Sequence, residues 1–252
     1  MYNVGFGDCF CIRDRKSSLL VDFGAANSKI EGRPRREVFD VIISDLTTIR
    51  KKNLLLTHFH MDHLSGLLYM MKKKDISVDF GKIYLPDVFS KKEMSRTLVL
   101  LLLADLLKES GLPSRQVSLF ALVDALLENK QNVELLSRGK LFENKYQALW
   151  PDTDVIRKET DEVYNRICED GKFKEVMDVL LEFAEKLRLI VWSMTAEGNK
   201  PAETVEKETD LTASELTEQP EVRQKIIRAY VYEREFRRIK ALPDFKKLLA
   251  WL

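Results

Sequence analysis

Histidine is almost missing from this chain of 252 residues: there are three, and none follows position 63. Imidazole chemistry is therefore confined to one place, and no second histidine region exists from which a serine or cysteine triad could be assembled. Cysteine is as scarce. Cys9, Cys11 and Cys168 are too few and too unevenly spaced for a disulfide framework. Cys9 and Cys11 sit two apart in a predicted strand, share one face, and read as buried thiols rather than ligands or nucleophiles. Long hydrophobic runs are absent too. The most apolar stretch, Leu98 to Leu103, is far shorter than the about 20 residues a membrane span needs. Nor is there an excess of one charge: 41 basic residues face 40 acidic ones for a net charge of +1. That removes a global electrostatic case for nucleic-acid binding and leaves only a local patch. No signal peptide precedes Gly5-Phe-Gly-Asp8, so the expected location is cytoplasmic, with no membrane partner.

What is present is a soluble composition, 45% hydrophobic and 32% charged, enough for one domain with elaborations or two small ones. The informative stretch is Leu54-Leu-Leu-Thr-His-Phe-His-Met-Asp-His-Leu-Ser-Gly66. A short apolar run, Leu54 to Leu56, reads as a buried strand. It opens into His58, His60, Asp62 and His63, all of the histidines together with a carboxylate. Zinc and related divalent ions take imidazole nitrogen and carboxylate oxygen at about 2.0–2.2 Å, so this spacing supplies much of a first coordination shell. His58 and His60 can face one ion while Asp62 and His63 face a second.

This loop resembles the signature of the metallo-β-lactamase-fold hydrolases. A second stretch agrees with it: Asn3-Val-Gly-Phe-Gly-Asp-Cys-Phe-Cys-Ile12 followed by Ser18-Leu-Leu-Val-Asp-Phe-Gly-Ala25 looks like the opening hairpin of that fold. The Gly-x-Gly-Asp version is most like the hydrolase domain of bacterial DNA-uptake channel proteins. The resemblance runs over residues 2 to 90, with a weaker echo from Gln147 to Asp152. It implies an α/β (α+β) fold, the front half of a metallo-β-lactamase-type αββα sandwich, with a large, mostly helical insertion and extension. It also implies that Asp22 braces the metal loop from behind, that His58 and His60 ligate a first ion and Asp62 and His63 a second, and that Asp62 orients or deprotonates the attacking water. The implied cofactor is zinc, one or two ions, with manganese or iron as alternatives. The family's later histidines and its bridging aspartate have no counterpart after His63. Three explanations stand open: the chain is the front part of a longer protein, the site is degenerate, or acidic residues substitute. Asp8 has two readings, a carboxylate directed at the cleft or a turn cap.

Along the chain, residues 1–12 and 18–23 read as a hairpin, 35–51 as a helix, 54–57 as a strand, 67–73 as a helix after a small Ser65-Gly66 turn, and 82–85 as a strand stopped by Pro86. Residues 1–90 thus form a β-rich core. Residues 91–145 read as a helical insertion (91–109 and 115–129), and 146–152 as a returning core strand. Residues 153–252 read as a helical extension with helices over 159–192 and 218–240 and a mobile acidic loop at 196–217. The Leu98–Leu107 stripe is a helix-packing face. The basic residues from Arg223 to Lys240 are a solvated helix face, with a nucleic-acid or partner contact as the alternative. The terminal Lys246-Lys-Leu-Leu-Ala-Trp-Leu252 reads as an amphipathic helix cut off before its cap.

Two functions follow. One is a metal-dependent hydrolase, with metal-activated water attacking a phosphodiester or ester-type substrate, small-molecule or nucleic-acid in type. The other is a truncated or degenerate, non-catalytic member that uses its helical region to bind a protein partner.

Overall fold

The structure is a computed structural model that describes residues 1–14, 17–73, 79–109, 119–129, 131–169, 171, 173–195, 238–239 and 241–251. It is of the mixed α/β class expected, and its described residues from Thr153 onward are mainly helical. Two compact units divide it, Met1–Pro86 with Pro113–Trp150, and Asp87–Leu112 with Pro151–Leu252.

The first unit is built on a five-stranded sheet in the order β1-β2-β5-β6-β7. β1 (Phe10–Arg13) and β2 (Ser18–Val21) form an antiparallel hairpin; β5 (Lys52–Leu55), β6 (Ile83–Pro86) and β7 (Val133–Leu136) then run parallel to β2 in turn. Two small hairpins, β3 (Lys29–Ile30) with β4 (Arg33–Pro34) and β8 (Leu141–Phe142) with β9 (Tyr146–Gln147), lie outside that sheet.

Strand alternation puts Leu20, Leu54 and Ile83 on one face, none more than 1% exposed. The helices of this unit are α1 (Arg35–Thr47), α2 (Met61–Met71) and α4 (Leu119–Glu128). α1 starts where Pro34 fixes the entry, buries Val38, Phe39, Ile42, Ile43 and Leu46 at helical spacing, and leaves Val41 in solvent. It stops short of the expected residue 51 because Thr47 and Thr48 hydroxyls donate back to the carbonyls of Ser44 and Asp45, both at 2.7 Å. Phe39 meets Phe23 edge-on with ring centroids 5.2 Å apart, tying α1 to the end of β2. On the opposite sheet face, Leu19, Tyr84 and Leu136 pack with Phe142 and Ala148 of the β8–β9 region.

Three expectations are corrected. Residues 1–9 are not strand: Gly5 has φ +68°, and a left-handed residue there turns the chain before it can pair. The helix expected from residue 67 begins at Met61, so Asp62 and His63 sit in its first turn. Val133–Leu136, inside the 91–145 segment read as a helical insertion and beyond its expected helices, is a sheet strand with three of its four residues buried; such a short apolar run carries no period that separates a buried strand from a helix.

Among its described residues the second unit is helical: α3 (Ser95–Glu109), α5 (Thr153–Cys168), α6 (Lys174–Ser193) and α7 (Phe245–Trp251), with a 3₁₀ turn at Lys92–Met94 before α3. Leu98, Val99, Leu102, Leu103 and Leu106 of α3 are buried, as the stripe predicts, and so are Leu180, Phe183 and Leu187 of α6. Asp152 caps α5 by accepting from the backbone of Asp154 and Val155. The expected acidic loop at 196–217 falls outside the described residues, as does the helix at 218–240 apart from Arg238 and Ile239. No helix among the described residues is long and apolar enough to cross a membrane.

The β8–β9 hairpin is pinned to the sheet by one carboxylate. Glu143, left-handed at φ +52°, accepts from the Tyr84 hydroxyl and from Asn53 Nδ2 at 2.5 Å. Burial and that carboxylate both raise the Tyr84 phenol above its ordinary range. Tyr84→Phe removes one of the two donors and is expected to destabilise the unit by about 1–2 kcal/mol, read as a lowered urea midpoint at unchanged slope.

Candidate metal centre

The end of β2 is where the site begins. Asp22 follows the last residue of that strand, is 3% exposed, and holds φ +53°, a left-handed conformation costly for a non-glycine residue. Its backbone N–H donates to the Leu55 carbonyl at 2.8 Å, so the neighbouring strand fixes it. Its carboxylate accepts at Oδ1 from the Thr57 backbone N–H (2.7 Å) and at Oδ2 from the Thr57 hydroxyl (2.7 Å) and His63 Nδ1 (2.9 Å).

These bonds settle the tautomers. Asp22 accepts in this bond, so His63 carries a proton on Nδ1, which in the neutral tautomer leaves Nε2 as a lone pair. The Thr57 hydroxyl spends its proton on Asp22 and so accepts from His58 Nδ1, 3.0 Å away, which leaves His58 Nε2 as a lone pair as well. Burial, then repulsion from His63 and His60, holds His58 below the usual imidazole range and keeps it neutral, the form a metal requires.

His58, Asp62 and His63 each offer a ligand atom, all within 4.8 Å of one another. Asp62 Oδ2 stands 3.6 Å from His63 Nε2, and the His58 and His63 rings are 3.6 Å apart at their centroids. Two imidazole nitrogens and a carboxylate oxygen, oriented by a buried second carboxylate, suit zinc, and manganese or iron tolerate the same donors. His60 is placed differently. It is the N-terminal cap residue of α2, its ring lies edge-on to His58 at 4.8 Å, and it belongs to neither ligand group found among the described residues.

The other group is Asp8, Asp22 and His63, again within 4.8 Å. It competes with the bracing role, since Asp22 and His63 Nδ1 already bond each other. Asp8 is nevertheless turned to the cluster, its Oδ2 3.6 Å from His63 Nδ1. Its backbone explains why: Asp8 N–H donates to the Asp62 carbonyl and its carbonyl accepts from Gly24 N–H, both at 3.2 Å. No Cβ fits on Gly7 or Gly24, where it would come within 2.5–2.7 Å of the backbone at 24–25 and 62–63. Ser65 and Gly66, read from sequence as a turn, are packing positions. The Ser65 hydroxyl bonds both the N–H and the carbonyl of Ala25 (2.9 and 3.0 Å), and Gly66 makes room for the Phe23 ring.

Thr57 is the residue that sequence reasoning passed over. Its place directly before His58 was the available signal, because a hydroxyl at a strand end is where a backbone-fixed carboxylate finds a donor.

Residues 2–89 match the family model described as Metallo-beta-lactamase superfamily, a superfamily of metal-dependent hydrolases, and that span contains every residue of the cluster. No curated protein and no solved structure matches the chain.

Asp22→Asn keeps a residue that tolerates the left-handed backbone but loses the charge and one acceptor. It is expected to lower zinc affinity by about 10–100-fold with an unchanged circular dichroism spectrum, as measured by titration against a competing chelator. Cys9, next to Asp8, is 1% exposed, and burial pushes its thiol up to about 12. It therefore stays protonated and unreactive at about pH 8; peptide mapping after iodoacetamide is expected to find it alkylated only when the protein is unfolded first.

Proposed function

We propose that the chain is a metal-dependent hydrolase of phosphodiester or ester-type substrates, with one ion held by His58, Asp62 and His63. The observation that carries this reading is the pair of lone pairs at His58 and His63 Nε2, fixed through Thr57 and Asp22 beside the Asp62 carboxylate. Two histidines and a carboxylate with a fourth position open is the donor set of a catalytic rather than a structural zinc site. When bound, a divalent ion supplies Lewis-acid polarisation of the phosphoryl or acyl oxygen and makes water more acidic.

The chain's own residues do the rest. Asp62 is 40% exposed at its side chain, so it meets solvent and substrate, and it is the group positioned to orient or take a proton from the attacking water. Asp22, buried, holds Thr57 and His63 in place. The likeness of Gly5-Phe-Gly-Asp8 to the DNA-uptake branch of the superfamily supports a phosphodiester over other esters. A non-catalytic reading draws on a different fact: no histidine after His63 adds a fourth or fifth donor.

Metal analysis after dialysis is expected to give one zinc per chain, lost in His58→Ala; two retained ions would mean that the Asp8 side holds a second. With zinc or manganese added, hydrolysis of a chromogenic phosphodiester is expected, and Asp62→Asn should weaken metal binding and, at metal concentrations that refill the site, still lower kcat by about 10²–10⁴. Zinc bound with no hydrolysis of phosphodiester or ester leaves the non-catalytic reading.

A further inference from the structure

Phe6 is the most exposed aromatic side chain among the described residues, at 76%, and it stands on the turn that leads into Asp8, whose carboxylate lies 3.6 Å from His63. The turn is not loose. The Phe6 carbonyl accepts from Ala26 N–H at 2.6 Å, Gly5 takes the left-handed conformation, and Gly7 presses against the backbone of Gly24, Ala25 and Asp62 with no space for a side chain. Two residues on, Asp8 directs its carboxylate to His63. The Phe6 Cα therefore lies within about 7 Å of the Asp8 Cα, on backbone bonded to the same residues that position the ligands.

A phenylalanine so exposed contributes little to the core, and a turn of this shape needs its glycines, not an aromatic, between them. What an exposed ring on a backbone-fixed turn, two residues from a carboxylate of the cluster, offers is a flat apolar surface that can stack against a planar group next to the group the metal would hold. Resting on the metal-centre reading above, we propose that Phe6 is a specificity-determining residue that selects phosphoesters bearing a planar aromatic group, such as an aryl ring or a nucleobase, next to the phosphoryl centre.

The test uses two non-hydrolysable probes with the same anionic head, phenylphosphonate and methylphosphonate, titrated calorimetrically into the zinc-loaded full chain. The wild type is expected to bind phenylphosphonate about tenfold more tightly, the size of a single aromatic stack. Phe6→Ala should abolish that preference while leaving methylphosphonate affinity unchanged, and Phe6→Trp should keep it. Zinc binding and the circular dichroism spectrum of each variant are recorded alongside, so a folding defect is seen directly. Equal affinity for the two probes in the wild type, or a preference that survives in Phe6→Ala, overturns the role of Phe6 and leaves the metal centre standing. Failure of the wild type to bind zinc, or to bind either phosphonate once zinc is bound, overturns the metal-centre reading and this proposal with it.

Discussion

The carboxylate of Asp22 is the interaction on which the site depends. It is buried, and a buried charge is tolerable only when its lone pairs are filled. Three donors fill them: the Thr57 N–H, the Thr57 hydroxyl and His63 Nδ1. Each of these bonds has a second consequence. The N–H bond ties the end of β5 to the end of β2, the hydroxyl bond sets which nitrogen of His58 is free, and the imidazole bond does the same for His63. One group thus converts two parallel strand ends into two aimed nitrogens. The left-handed backbone at Asp22 costs about 1–2 kcal/mol, a modest sum against three charge-assisted hydrogen bonds of about 1.5–3 kcal/mol each.

Backbone proximity does for the rest of the cluster what hydrogen bonding does for Asp22. α2 is pulled onto the strand end because the Phe23 N–H donates to the His63 carbonyl at 2.7 Å while Gly66 and Leu67 N–H both reach the Phe23 carbonyl. A helix enters that closely only where its facing residues are small, which is why Ser65 and Gly66 follow the ligands and why Gly24 follows Phe23. The Gly5–Asp8 turn is layered on the same contact through Asp62. Three segments of the chain therefore share one set of main-chain bonds.

Much of this was legible in the sequence, and the reasons differ by element. The β1–β2 hairpin, the strand before His58 and the helix after it follow from apolar runs and turn residues, and the apolar stripe of α3 follows from its period. The start of α2 was misplaced because Ser65-Gly66 looks like a turn; only the depth of the Phe23 ring behind it makes the pair a helix-packing surface. β7 was missed because Val133-Glu-Leu-Leu136 is too short to show a period, and its identity comes from pairing with β6. His60 was read as a ligand from the His-x-His spacing. The structure makes His60 the cap of α2 and sets its ring edge-on to that of His58 at 4.8 Å, so the spacing does bring these two rings together. The left-handed φ of Asp22 leaves no trace in composition at all.

Charge balance gives the last reason to regard the cluster as a cation site. Asp8, Asp22 and Asp62 surround His63, and among the described residues none of the three is ion-paired with lysine or arginine; their only charge partner is His63 itself. Three carboxylates therefore share this small volume, and among the described residues no lysine or arginine offsets them. Elsewhere in the same unit carboxylates are matched, Asp45 by Arg13, Asp40 by Lys73 and Glu134 by Lys82. Repulsion among like charges a few ångströms apart falls off slowly where water is partly excluded, so an unmatched group of three is held together only by the backbone and by the bonds to Asp22. A divalent cation set among His58, Asp62 and His63 removes most of that excess while using the lone pairs already aimed there. The fold therefore stores, in its main-chain contacts, an electrostatic imbalance that a metal ion is the simplest means of relieving.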